Sequence, residues 1–281
     1  MIKKVEITRD LICGDPDRTF ILLAGPCVLE GRKHALKLAR RIKEIADGLG
    51  IPLVFKSSYD KANRSSIASY RGPGIDRGLE ILAEIKENLG VPVISDVHSP
   101  EQAYKAGEVL DIIQVPAFLS RQTDLVVAAG ETGKTVNVKK GQFLSPGDMD
   151  NVIKKIESTG NEKIMLTERG TCFGYNNLVV DMTSLPKMRA LGYPVVFDAT
   201  HSVQLPGGAG DRSGGEREYA PVLTRAAVAA GIDALFLEVH DNPPEAKSDS
   251  ATMLPLERLE GVLREALVLD KALCGSAGKG R

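Results

Sequence analysis

Eight short runs rich in β-branched residues recur along the chain, and the gaps between most of them are long enough for a helix. They are FILLAG from Phe20, LVFKSS from Leu53, VPVISDV from Val91, IIQVP from Ile112, TVNVKKG from Thr135, IMLTERG from Ile164, VVFDATH from Val195 and ALFLEVH from Ala234. Strands this continuously apolar must be covered on both faces, which is the condition of a parallel sheet wrapped by helices. Eight strand-helix units favour closure over an open sheet, so the fold class is α/β and the expected architecture a (β/α)8 TIM barrel. Such a barrel takes about 250 residues. The chain has 281, with no linker or repeat, so residues 1–281 read as one domain.

The intervening stretches carry helical periodicity. In residues 34–49, Ala35, Leu38, Ala39, Ile42, Ile45, Ala46 and Leu49 recur at three and four residues, and Gly50 ends the pattern. Residues 77–88 before Gly90 and 219–230 before Gly231 read the same way, while the fourth and sixth helices have weaker patterns. Residues 5–23 read as a hairpin turning at Gly14-Asp15-Pro16-Asp17, which adds a strand ahead of the barrel and caps its bottom; residues 275–281 read as a disordered tail.

Composition narrows the function classes. Hydrophobic residues at 43% and charged residues at 26% exclude disorder for the bulk of the chain. The 36 basic and 37 acidic side chains leave a net charge of −1, so nothing global draws the protein to nucleic acid or to an anionic membrane. Any anion binding must come from local clustering. No apolar run approaches the roughly 18 residues of a membrane span, and MIKKVEITRD lacks a signal-peptide core, which predicts a cytoplasmic protein. Four scattered cysteines make no disulfide framework, in keeping with a reducing compartment. Of these, Cys13, Cys172 and Cys274 read as structural.

Every candidate strand ends in residues that an apolar core would not choose. Cys27 follows the first; Lys56 and Ser57, Asp96 and His98, and Gln114 follow on the next three. Lys139 with Lys140, Glu168 with Arg169, Asp198 with His201, and Glu238 with His240 complete the set. In a (β/α)8 barrel this end holds the active site. Lys56, Lys61, Arg64, Lys139, Lys140 and Arg169 give that mouth an excess of positive charge, suited to a ligand bearing phosphate and carboxylate. Cys27, His201, Glu238 and Asp249 are ligand types that a zinc-like or ferrous ion accepts, but their wide spacing leaves a buried thiol and a loop histidine as an open alternative.

Two glycine-rich stretches are decoys. Gly130 to Thr135 resembles the end of a phosphate-binding loop, but Ala128 stands where its first glycine belongs, so it reads as a helix-ending turn. Residues 207–215 lack the strand-turn-helix setting of a dinucleotide site and read as a mobile loop over the mouth.

Longer motifs link these residues: Ala24-Gly25-Pro26-Cys27, Phe55-Lys56-Ser57-Ser58 running through Lys61-Ala62-Asn63-Arg64-Ser65-Ser66, Gln114-Val115-Pro116-Ala117 through Arg121, Asn137-Val138-Lys139-Lys140-Gly141-Gln142, Thr167-Glu168-Arg169-Gly170 and Asp198-Ala199-Thr200-His201-Ser202-Val203-Gln204. From about Phe20 to Leu269 the chain resembles the 3-deoxy-D-manno-octulosonate 8-phosphate synthase family. The resemblance implies a transferase that condenses phosphoenolpyruvate with D-arabinose 5-phosphate and water, releasing phosphate, in lipopolysaccharide biosynthesis. It also implies a (β/α)8 barrel in a homotetramer. The Lys61-Ala62-Asn63-Arg64-Ser65 run sets the chain apart from the relative that uses erythrose 4-phosphate, the runner-up activity; a non-catalytic sugar-phosphate-binding barrel is the other alternative.

Carried over motif by motif, the resemblance assigns phosphoenolpyruvate to Lys56, Ser58, Lys61, Gln114, Ala117, Lys139 and Arg169, with Lys139 and Arg169 on its phosphate and Lys56 and Lys61 on its carboxylate. Arabinose 5-phosphate falls to Asn63, Arg64 and Ser65, with Arg121 reaching in from a neighbouring subunit. Lys61, Asn63, Asp96, His98 and His201 are the implied catalytic residues, Asp96 and His98 lying beside the sugar and the attacking water. Cysteine after the glycine-proline pair marks the metal-dependent members, so Cys27, His201, Glu238 and Asp249 become the implied ligands of a divalent ion. Zinc or iron is expected there, with manganese, cobalt or cadmium as substitutes.

Overall fold

A computed structural model describes residues 2–64, 66–208 and 213–276. A two-stranded hairpin, β1 (Val5–Thr8) and β2 (Leu11–Cys13), precedes eight parallel strands. These are β3 (Ile21–Gly25), β4 (Leu53–Lys56), β5 (Val93–Asp96), β6 (Ile112–Val115), β7 (Thr135–Lys139), β8 (Ile164–Glu168), β9 (Val195–Asp198) and β10 (Ala234–His240). Each pairs with the next in sequence, and β10 pairs back onto β3 from Ala234↔Ile21 to Glu238↔Gly25, closing the barrel. Every residue of these eight strands is buried, as their unbroken apolar runs require.

Eight helices cover the barrel: α1 (Arg32–Leu49), α2 (Ile75–Leu89), α3 (Pro100–Gly107), α4 (Thr123–Glu131), α5 (Met149–Glu157), α6 (Ser184–Arg189), α7 (Ala220–Ala230) and α8 (Leu256–Ser276). In α1 the buried stripe is Ala35, Leu38, Ala39, Ile42 and Ala46. Gly50 and Gly90 stop α1 and α2 in the left-handed conformation, with φ of 68° and 63°, which a side chain would resist. The weak periodicity of the fourth and sixth helices has plain causes: α6 is only six residues long, and α4 is apolar over most of its surface, with Leu125, Val126, Ala128, Ala129 and Gly130 all buried. α4 ends at Glu131, the Thr132 and Gly133 N–H groups bond back to the Gly130 carbonyl, and Gly133 (φ 67°) turns the chain into β7, so this stretch is the expected helix-ending turn.

The hairpin needs one correction. Its turn lies at Arg9 and Asp10, with Val5 opposite Cys13, rather than at Gly14-Asp15-Pro16-Asp17. The alternation of buried Val5 and Ile7 with outward Glu6 matches buried Leu11 and Cys13, and this two-residue link pairs those faces. Gly14 (φ 83°) is a crowded bend, since a Cβ there would sit 2.9 Å from both the Lys3 carbonyl and Pro194. Thr135 Oγ1, at the start of β7, donates to the Glu6 carbonyl (3.1 Å), and Lys3 N–H to the Gly192 carbonyl just before β9 (2.8 Å). The hairpin therefore covers the N-terminal end of the barrel, as expected. The backbone of α8 continues through Ser276, two residues into the expected tail; 277–281 lie outside the described residues. No helix among the described residues is long and apolar enough to cross a membrane.

Candidate active site

At the C-terminal mouth the strand ends enclose a cavity of about 340 Å³. Lys56, Lys61, Arg64, Lys139 and Arg169 line it, as do Asn63, Asp96, His98, Ala117, His201 and Asp249. Lys140 does not. It is fully buried with its Nζ donating to Thr171 Oγ1 (3.0 Å) and the Leu144 carbonyl (3.2 Å) and lying 3.6 Å from Glu168. The expected sixth cation of the mouth is thus a strut between the loops after β7 and β8. Glu168 accepts from the Arg169 and Gly170 N–H groups (2.9 and 2.7 Å), so the strut also fixes the backbone of Arg169.

The lining lysines Lys56 and Lys139 are held by carboxylates from strands two positions away around the barrel. Lys56, 1% exposed, donates to Glu238 (2.7 Å) and reaches the Cys27 carbonyl (3.4 Å); Lys139 donates to Asp198 (2.6 Å) and sits 3.9 Å from the Phe236 ring centroid. Lys61 stands 3.9–4.0 Å from Glu238 and Asp96 and donates to Ser58 Oγ (3.3 Å), whose hydroxyl in turn binds Asp96. Burial alone would push the Asp96 carboxyl up, but Lys56, Lys61 and Lys139 outweigh it and hold the group far below the carboxylate range. Burial pulls Lys139 down, and Asp198 only partly offsets this. Arg169 has fewer partners: its Nη2 donates to Gln204 Oε1 (3.0 Å), and its buried Nη1 has none.

Behind the cavity a polar belt crosses four strands. Gln114 Nε2 donates to Asp96 (2.5 Å), Asn137 Nδ2 to Gln114 Oε1 (2.9 Å), and Thr167 Oγ1 to Asn137 Oδ1 (2.7 Å). Gln114 is therefore a fully buried support rather than a lining residue. Asn137 was identifiable as a polar residue inside an apolar strand. Gln204 and Ser248, which also hold the site, gave no such signal: Gln204 bridges Arg169 and Asp249 (3.3 Å), and Ser248 accepts from Arg64 (2.6 Å) and lies 3.1 Å from Cys27 Sγ. Arg121 is exposed, outside the cavity, and Ser65 and 209–212 lie outside the described residues.

The candidate metal ligands converge from opposite ends of the chain. Gly25 ends β3 where a Cβ would lie 2.0 Å from the Lys56 carbonyl oxygen, so only glycine lets β3 and β4 approach this closely; Cys27 follows two residues on. One ligand atom from each of Cys27, Glu238 and Asp249 lies within 4.8 Å of the others. His201 Nε2 is 3.6 Å from Glu238 Oε2 and 3.7 Å from Asp249, and its Nδ1 is 2.7 Å from Asp198. Asp249 has φ 46°, a left-handed conformation that aspartate tolerates better than most residues. Burial, with Asp249 and Glu238 adding to it, pushes the Cys27 thiol well above its usual range. A thiol, an imidazole and two carboxylates, with Glu238 Oε2 buried and unpartnered, fit a zinc-type divalent ion.

A (β/α)8 barrel with a cationic mouth and an S/N/O donor set defines the class, and comparison with known proteins narrows it. Residues 3–273 match the DAHP synthetase I family, to which the chain belongs. Among curated relatives it is similar to the 2-dehydro-3-deoxyphosphooctonate aldolase of Trichlorobacter lovleyi, 61% identical over 253 residues (90% of this chain, 93% of the relative). Proteins of the same name from a Cyanothece species and from Geobacter sulfurreducens are 57% and 58% identical, covering 96% and 94% of this chain and 98% of each relative.

Proposed function

We propose that the chain condenses phosphoenolpyruvate with D-arabinose 5-phosphate and water to give 3-deoxy-D-manno-octulosonate 8-phosphate and inorganic phosphate. The observation that carries this reading is the set of five cations around one cavity, joined by Asn63, Asp96 and His98. The names of the aldolase relatives favour the eight-carbon product over the erythrose 4-phosphate alternative.

In this reading Lys139 and Arg169 take the phosphate of phosphoenolpyruvate and Lys56 and Lys61 its carboxylate, with Ala117 lining the pocket and Ser58 and Gln114 supporting it through Asp96. Asn63, Arg64 and Ser65 hold the pentose phosphate, and Arg121 of a neighbouring subunit in a homotetramer joins them. Fixing both anions aligns the enol carbon with the aldehyde carbon, which removes much of the entropic barrier. The enol π-electrons form the new carbon-carbon bond, and the aldehyde oxygen takes a proton. Water adds to the cationic C2 and loses a proton, for which Asp96 and His98 are placed beside the sugar. The resulting hemiketal phosphate expels inorganic phosphate toward Lys139 and Arg169.

Cys27, His201, Glu238 and Asp249 hold a divalent ion, zinc or iron, which when bound supplies Lewis acidity or orientation at the aldehyde. The reaction places the protein in lipopolysaccharide biosynthesis in the cytoplasm, as a single barrel domain.

Phosphate release from the two substrates, before and after chelation with metals quantified, tests this. Activity that vanishes with the metal and returns on its addition is expected; release with erythrose 4-phosphate in place of the pentose phosphate would overturn the substrate assignment. Cys27→Asn is expected to lose metal while keeping part of the activity. In Arg64→Ala the KM for the pentose phosphate should rise more than that for phosphoenolpyruvate.

A further inference from the structure

A second group of ligating side chains lies outside the mouth cavity. His240, the last residue of β10, meets Glu30 and His34, the latter in the first turn of α1, and one ligand atom from each lies within 4.8 Å of the other two. His240 is only 4% exposed, yet its Nε2 is buried without a hydrogen-bond partner, as is His34 Nδ1. Buried polar nitrogens left in this state are uncommon, and neutral imidazole is the commonest protein ligand for a metal ion.

The far side of each ring is already engaged. Asp241 Oδ1 lies 3.0 Å from His34 Nε2 and 3.5 Å from His240 Nδ1, and Lys37 binds the other oxygen of the same carboxylate (2.8 Å). A carboxylate on the outer nitrogen is how metal-ligating histidines are oriented. Without metal, His240 Nδ1 accepts the Asn242 N–H (2.9 Å), which puts the ring proton on Nε2, 3.4 Å from Glu30 Oε1. Metal at Nε2 would move that proton to Nδ1, which lies 3.5 Å from Asp241 Oδ1. No net proton is lost.

We propose that Glu30, His34 and His240 form a second divalent-metal site for a zinc-type ion, with three protein ligands, an open position for water and Asp241 as the outer support. Glu30 Oε1 also accepts the Lys247 N–H (2.8 Å), so an ion here ties the entrance of α1 to the segment that leads to Asp249. The site has no thiolate, so it should exchange zinc more readily than the Cys27 group.

The test is zinc stoichiometry of the full chain after dialysis against buffered free zinc. About two ions per chain are expected, falling to about one in His34→Ala and in Glu30→Gln and, through the other site, to about one in Cys27→Ala. His34 is a partly exposed helix residue outside the reaction machinery, so His34→Ala should keep wild-type phosphate release, which certifies its fold. A wild-type chain whose single ion persists in His34→Ala, or a His34→Ala chain holding two, overturns the site; the second result would mark the extra zinc as adventitious. If Cys27→Ala leaves stoichiometry unchanged, the mouth assignment fails separately.

Discussion

Two arginines at opposite ends of the barrel, one half-buried and one buried, are treated in opposite ways. Near the N-terminal end, Arg189 makes a two-pronged contact with Asp233 (3.1 and 3.0 Å), whose carboxylate also accepts the N–H of Val195 at the start of β9 (2.9 Å). Lys86 and Asp111 repeat the pattern at the start of β5, where Asp111 accepts from Val93 N–H (2.9 Å). At the mouth, Arg169 has an amide oxygen for one nitrogen and nothing for another, and burial pulls its pKa down. Arg189 and Lys86 are satisfied by the fold, as are Lys56 and Lys139 at the mouth, whereas Arg169 alone of these is left for a ligand to satisfy. Keeping such a group buried costs stability that only binding returns.

The sharpest way to break this contrast is Arg169→Met. Loss of a donor to a developing anion should lower kcat/KM by about 10³, or roughly 4 kcal/mol, while the melting temperature stays level or rises. A variant that melts early would show that Arg169 belongs to the structural class. Asp233→Asn should do the reverse: about 2 kcal/mol of stability lost in denaturant unfolding, with the steady-state constants of the folded enzyme unchanged. The smallest effect concerns Tyr193, beside Lys3 and Glu157 at the bottom. Burial, then its hydrogen bond to Glu157, raises its pKa to about 12. The unfolded chain releases this proton near pH 10 and the folded one near 12, so the unfolded state binds fewer protons between them. Stability should therefore fall as pH rises from 10 to 12, and Tyr193→Phe should flatten that part of the slope.

The same contrast explains what was legible in the sequence. The eight strands and the mouth follow from periodicity, because burial on both faces leaves a continuous apolar run and a polar residue at its end is conspicuous. Lys140 is such a residue, yet it faces away from the cavity, since the direction of a side chain just past a strand depends on how the loop leaves it. Ser248 lies on irregular backbone and Gln204 opens a strand of only two residues, so no period marks which residues face inward. The hairpin turns at Arg9-Asp10 although Gly14-Asp15-Pro16-Asp17 has the stronger turn chemistry. Pairing of the apolar faces overrode it.

Gly25 bears on how such a protein changes over generations. Because the Lys56 carbonyl fills the space a Cβ would need, the backbone that presents Cys27 is set by the contact between two strands and not by what residue 27 binds. Position 27 can therefore be replaced on an unaltered frame, while position 25 cannot. On the proposed metal role of Cys27, a lineage facing scarce metal exchanges the thiol in one step without rebuilding the mouth, and its descendants still carry the glycine.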